Sequence, residues 1–323
     1  MVTVEDPPLS PSQATLLALF FVSSYVGSLY ISKNARLSFV SKPVKLPDGQ
    51  IRRKQDKERW RDDLDVIRAR LTAVALSTVL SCFVVYWVRL RAFAVRTNTF
   101  ALARADTLKR LGFTAPHPVV AHLITPVLFL GPLYAMSLYR TLPFQKLYNL
   151  NNVTWIHFKS LLGIRTYVVA PLTEEIVFRA CMLSIYHLSG ASVYRMIFLA
   201  PLWFGLAHVH HAWDVYNRYG RTTAALKRAI LAITFQMAYT TLFGFHCSYL
   251  FLRTGSIWPP ITAHVFCNIM GVPGLQQELR HFPSRMFLII VTYILGVVGY
   301  ILTLGVWSST EGSIYWSQPQ QVV

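Results

Sequence analysis

The stretch Pro171-Leu-Thr-Glu-Glu-Ile-Val-Phe-Arg179 decides how the rest of the chain is read. Two adjacent carboxylates, Glu174 and Glu175, sit inside an otherwise apolar run from Thr166 to Leu188. An ionised group in a helix at lipid depth costs about 3 kcal/mol even on insertion scales, so its default reading is functional. Neighbours on an α-helix lie about 100° apart, because one turn takes about 3.6 residues. The two carboxylates therefore take different jobs. Glu175 precedes Arg179 by four residues on the same face, and the spacing predicts an ion pair between them. Glu174 points elsewhere and is the carboxylate available for acid–base work.

The surroundings of this stretch place it in a membrane. The chain has 323 residues, 54% of them hydrophobic, with a mean hydropathy of +0.41. A spanning helix needs about 20 apolar residues. Eight segments qualify as candidates: Ala14–Ile31, Leu71–Val88, Pro118–Leu138, Thr166–Leu188, Val193–Ala212, Ala229–Leu252, Ser256–Val272 and Met286–Trp307. The fold expected is an all-α polytopic membrane protein of about eight transmembrane helices. The fourth to seventh segments carry Glu, Arg, His, Asn and Gln, so they are expected to face one another or a watery cavity. No internal repeat or low-complexity tract is present.

A net charge of +17 suits either nucleic acid or an anionic membrane surface. Twelve of the 31 basic residues lie in Lys33–Arg70 beside six acids, with only Phe39 and Trp60 as aromatics for base stacking. Beside spanning helices, such a loop is read by the positive-inside rule, and no nucleic-acid partner is expected. A non-cytosolic N-terminus puts 22 basic residues in cytosolic loops and eight on the opposite side. The loop 32–70 is thereby assigned to the cytosol. On this orientation the sequon Asn152-Val-Thr154 is cytosolic and silent. The first apolar segment lacks a positive n-region and is long for a signal peptide, so it is read as a retained anchor. Residues 1–13 read as a disordered tail, Arg59–Arg70 as a surface helix, and Ala101–Leu111 as a helix stopped by Gly112. Cys82, Cys181, Cys247 and Cys267 all fall in apolar segments with no CxxC pair, which suits small buried hydrophobes.

Two further constellations carry chemistry. Phe204-Gly-Leu-Ala-His208 continues into Val209-His210-His211, and His264-Val-Phe-Cys-Asn268 lies in the seventh segment. Each pair is spaced i, i+4 and shares a helix face. Glutamate and histidine jointly holding a water make a general base. A histidine with an asparagine amide offers donors to a developing oxyanion. Glu174, His208, His264 and Asn268 thus form a complete set for attack of water on an amide, with no Ser or Cys nucleophile required. Taken singly, either histidine equally suits a helix–helix hydrogen bond, and Glu175–Arg179 suits a supporting role. Zinc fits less well, because HExxH is absent and the i, i+2, i+3 spacing of His208, His210 and His211 is not the usual one for two ligands on one helix face. No cofactor is expected, and His210 and His211 are placed at the cytosolic mouth.

The ordered set Glu174-Glu175-xxx-Arg179, Phe204-xxx-His208 and His264-xxx-Asn268 resembles the motifs of the CAAX protease and bacteriocin-processing family of intramembrane glutamic proteases. The flanks Tyr167-Val-Val-Ala-Pro and Val209-His-His211 are similar to its eukaryotic Ras-converting, type II branch. The resemblance is strong over residues 118–272, the expected catalytic core of a single membrane domain. It implies eight helices in the endoplasmic reticulum membrane and a catalytic cavity facing the cytosol. It implies removal of the last three residues from prenylated CAAX proteins such as Ras-type GTPases. Carried over by position, Glu174 and His208 activate the water, His264 and Asn268 form the oxyanion hole, and Glu175 and Arg179 support them. Two other functions remain open on the residues alone: a proton-coupled transporter and a non-catalytic membrane scaffold.

Overall fold

A computed structural model describes residues 7–40, 42–47, 49–93 and 98–316. Residues 1–6 of the expected disordered tail, and the side chain of the Asn152 sequon, lie outside the described residues. Among those residues the fold is all-α, with a single isolated antiparallel bridge between Ser38 and Arg59. The chain divides into two compact units, Met1–Leu111 with Thr173–Tyr249, and Gly112–Leu172 with Leu250–Val323.

Among the described residues, four helices are long and apolar enough to cross a membrane: Pro11–Ile31, Leu64–Ala92, Thr223–Thr254 and the helical run Pro283–Trp307. A fifth crossing counts if Val119–Leu128 and Leu130–Leu138, bent by 68°, make one span. These correspond to five of the eight expected segments. The last run shows why such segments read clearly. Its mean hydropathy is 2.4, and Phe287, Ile301, Leu302 and Val306 are 66–74% exposed, a surface suited only to lipid. The protein is a multi-pass membrane protein.

The other three expected spans are not single long helices. In the fourth, Ala170–Glu175 and Met182–Leu188 are α-helical, while Ile164–Val169 and Ile176–Cys181 are wider π turns. Pro171 gives a reason for the first π turn, since it has no N–H to donate to the Tyr167 carbonyl. In the fifth, Val193–Phe198 and Ala200–Ala207 are separated at Leu199, next to Pro201, and a turn then leads into His211–Arg218. The seventh is a 13-residue helix, Trp258–Met270, ended by Gly271 at φ +66°.

Smaller expectations also meet corrections. The region 7–13 is not all tail: Ser10 caps the first helix in a capping box with Gln13, and Pro11 fits its first turn. Arg59–Arg70 is helical only from Leu64, because Asp63 sits at the helix start and accepts from Lys54 and the Trp60 amide. The helix expected over Ala101–Leu111 is present as Thr99–Arg110, and Gly112 follows at φ +75°. The four cysteines are thiols, with the sulfurs of Cys82 and Cys181 3.8 Å apart.

In the first unit, the first helix packs on Leu64–Ala92, on Met182–Leu188 and on Ala200–Ala207. The Ala200–Ala207 helix lies close against Thr223–Thr254. A Cβ on Gly205 would strike Thr241 Oγ1, and one on Gly244 would lie 2.6 Å from Pro201 Cβ. Glycine is what permits that approach, as small residues do between helices in lipid. In the second unit, Met286–Trp307 packs on both arms of the bent pair, and Trp258–Met270 packs on Ile124–Leu128 and Ile164–Val169.

Candidate active site

Glu174, Glu175, Arg179 and His208 fall in the first unit, and His264 and Asn268 in the second. Each group has its own support.

The ion pair predicted from spacing is present: Arg179 Nε lies 3.1 Å from Glu175 Oε2. Both side chains are sealed, at 1% and 0% exposure. Burying two charges is costly, and the surroundings offset part of the cost. The Arg179 guanidinium lies 4.3 Å from the centre of the Phe204 ring and 5.9 Å from that of Phe243, a cation–π arrangement. Glu174, one residue earlier, is only half-buried. Adjacent carboxylates thus sit in different environments, one locked to an arginine and the other on the accessible side.

The preceding residue, Thr173, is held from another helix. Its hydroxyl and that of Tyr25 are 2.8 Å apart, and both side chains are buried. An edge-to-face series then runs from Tyr25 to Phe178 (5.5 Å), Phe204 (5.1 Å) and His208 (4.8 Å). Such contacts fix ring orientation. The series connects the surroundings of Glu174 with His208. Tyr25 was not singled out from sequence. Its signal was a phenol hydroxyl in an apolar span, which needs a partner when buried.

The His208 Nδ1 donates to the Phe204 carbonyl at 2.8 Å. In a neutral imidazole that bond leaves Nε2 as the acceptor, the arrangement a base requires. His210 Nδ1 donates likewise to the Ala207 carbonyl at 2.7 Å, and His211 Nδ1 lies 3.1 Å from Gln236 Nε2. These three rings stack edgewise within 5.5 Å. Among the described residues, no three His, Cys, Asp or Glu side chains group as a metal site would.

In the second unit, His264 is buried and Asn268 half-buried. Asn268 Nδ2 donates to the Thr166 carbonyl at 2.8 Å. One amide hydrogen is thereby used to orient the group, and an amide carries two.

Residues 155–270, which include all six candidate residues, match the family model described as type II CAAX prenyl endopeptidase, Rce1-like. The chain is similar to the probable CAAX prenyl protease 2 of Schizosaccharomyces pombe, at 30% identity over 90% of this chain and 92% of the relative. It is 33% identical to the CAAX prenyl protease 2 of Homo sapiens, over 93% of this chain and 82% of the relative. The chain belongs to the type II CAAX prenyl endopeptidase family. The Arabidopsis thaliana CAAX prenyl protease 2 is similar over a shorter range, with 38% identity across 53% of this chain and 50% of the relative. No solved structure matches the chain. Membership in the type II CAAX prenyl endopeptidases makes it a peptide hydrolase and favours that reading over the transporter and the scaffold.

Proposed function

We propose that the chain is an intramembrane endopeptidase that removes the C-terminal tripeptide from prenylated CAAX proteins, Ras-type GTPases among them. The observation that carries this reading is the family match over residues 155–270, which spans every candidate residue.

Glu174 and His208 act on the water. Glu174 takes a proton from it as the oxygen attacks the carbonyl carbon of the prenylated cysteine. His208, with Nδ1 on the Phe204 carbonyl, presents Nε2 to the same water. His264 and Asn268 donate to the carbonyl oxygen as it becomes negative. The proton then passes to the amide nitrogen, the C–N bond breaks, and the tripeptide leaves. The prenylcysteine keeps the new carboxylate. Glu175 and Arg179 hold the motif in place from the sealed side. The chemistry needs no metal, because the carboxylate supplies the base directly.

The catalytic core is assigned to residues 118–272 of a single membrane domain. The orientation proposed puts the loop 32–70 and the active site toward the cytosol, in the endoplasmic reticulum membrane. The count of 22 basic residues against eight supports it. Hydrolysis of a farnesylated CAAX peptide by pure protein tests the function. Cleavage one residue after the cysteine, or none, overturns it. Chelators are expected to leave the rate unchanged, and one tightly bound zinc whose removal ends activity would reverse the assignment of the water's activator.

A further inference from the structure

Glu174 and Glu175 sit on a short α-helical stretch, Ala170–Glu175, between two π turns, Ile164–Val169 and Ile176–Cys181. A π turn is a local widening of an α-helix by one inserted residue. Moving that insert past a residue turns its side chain by about 100° around the axis, one residue's share of a turn of about 3.6. With an insert on each side, the helical ladder alone does not fix which way Glu174 faces. Contacts from other elements must do so.

One such contact comes from the first helix. Tyr25 lies 148 residues before Thr173 in the chain, and the two hydroxyls are 2.8 Å apart. The Tyr25 ring also meets Phe178 edge-on at 5.5 Å, inside the second π turn. Tyr25, Thr173 and Phe178 are all buried. One side chain thus grips the chain just before Glu174 and again just after Glu175. Phe178 hands the contact on to Phe204 and then His208, so both members of the water-activating pair lean on the same ring.

Tyr25 is a firm support. It belongs to the buried stripe Ala14, Ala18, Phe21, Tyr25 and Leu29, whose three- and four-residue spacing marks one helix face. At the start of this helix, the Leu9 amide donates to the Leu188 carbonyl at 3.3 Å. Beyond its end, the basic loop is clamped and not loosely solvated. Arg52 is buried and donates through Nε to the Asn217 carbonyl and through Nη1 and Nη2 to Glu58, each at 2.7 Å, over the Trp60 ring at 5.3 Å. The amides of Val44 and Arg52 donate to the carbonyls of Gly220 and Arg218 at 2.9 Å, and Arg218 donates to Asp62 at 2.9 Å. All these residues belong to the first unit.

We propose that Tyr25 is a positioning residue of the active site: its hydroxyl on Thr173 and its ring on Phe178 set the rotation of the stretch that carries Glu174, so that this carboxylate and not Glu175 faces the water. This rests on the function proposed above. It extends the working site to the first helix, which lies outside residues 155–270 of the family match and outside the assigned core 118–272. A residue that orients a base without touching substrate acts on kcat and spares KM.

The test uses the purified full chain and a farnesylated CAAX peptide, with kcat taken per folded molecule from a melting curve on each preparation. Tyr25→Phe keeps the ring and deletes the hydroxyl, and Thr173→Val deletes the other half of the bond. Each is expected to lower kcat by about 10- to 100-fold, the cost of a misplaced group, with KM little changed. The double variant is expected to lose no more than either single one, because both remove the same bond. Thr173→Ser keeps the hydroxyl and is expected to keep the rate. Tyr30→Phe removes a hydroxyl from an exposed site on the same helix and is expected to turn over as wild type does. Normal kcat in Tyr25→Phe overturns the proposal, whatever its melting temperature. Losses that add in the double variant, a Thr173→Ser protein as slow as Thr173→Val, or an equal loss in Tyr30→Phe also overturn it while the endopeptidase stands. Cleavage by no preparation, wild type included, overturns the endopeptidase itself and this role with it.

Discussion

The helix Met286–Trp307 and the segments that carry the motifs obey different rules. The first runs unbroken, and its boundaries are those read from the sequence. One face of it is exposed and apolar, as lipid contact requires, and its other residues are mostly apolar too, so composition alone decides where it starts and stops. The motif segments are interrupted by π turns before and after Glu174–Glu175, by a break beside Pro201, and by an early stop at Gly271. Irregular backbone at membrane depth survives only where protein or water satisfies its polar groups, and π turns recur at functional sites. The contrast teaches that regularity in this chain marks contact with lipid and irregularity marks chemistry.

The contrast is open to attack by substitution. The largest effect is expected for Glu174→Gln, which removes the proposed base: kcat falls by about 10²–10⁴ or more while the protein still inserts and melts normally. Wild-type turnover in that variant would end the mechanism. Next is Glu175→Gln, which leaves the Arg179 charge in a sealed site. Breaking a buried pair costs about 3–5 kcal/mol, so thermal unfolding should report a marked loss of stability. A stable but inactive Glu175→Gln protein would instead move Glu175 into the chemistry.

Asn268→Ala comes third. Loss of one oxyanion donor costs about 10²–10³ in kcat with KM nearly unchanged. Asn268 also ties its helix to the Thr166 carbonyl, so kcat, KM and melting temperature should be measured on one preparation. Normal kcat with a lowered melting temperature would make Asn268 a packing residue and leave the oxyanion to His264. The smallest effect is expected on the regular side of the contrast. Leu302→Met, at a site 69% exposed, should change stability by no more than about 0.5 kcal/mol and activity not at all. A large loss there would show that the outer face of Met286–Trp307 contacts something other than lipid.

The same contrast explains what was legible beforehand. The i, i+4 relation of Glu175 and Arg179 is local, so spacing sufficed to predict the pair that the structure holds at 3.1 Å. Gly112 ended its helix as expected, because a positive φ is a local property. The π turns were missed because a 3.6-residue period was assumed throughout, although Pro171 advertised a lost hydrogen bond. The clamped loop was missed for another reason. Its bonds join Arg52 to Asn217 and Arg218 to Asp62, across more than 150 residues, and no periodicity encodes such pairs. Charge counting gave the loop its sign and nothing of its order. The candidate site was legible as a set of residue types in sequence order, whereas the Tyr25–Phe178–Phe204 series behind it was not, since aromatics in apolar spans look alike until packed.

The Arg52–Asn217 bond also sets a timetable for biosynthesis. Its partners are 165 residues apart in the chain. At about 5–20 residues per second, a ribosome delivers Asn217 on the order of 10–30 s after Arg52. Through that interval Arg52 has its local partners Glu58 and the Trp60 ring but not the Asn217 carbonyl, and the loop's backbone donors at Val44 and Arg52 wait for the carbonyls of Gly220 and Arg218. The loop therefore closes late, onto a segment that follows His208 directly, so the completion of the His208 neighbourhood and the ordering of the cytosol-assigned loop become a single event in the life of the nascent chain.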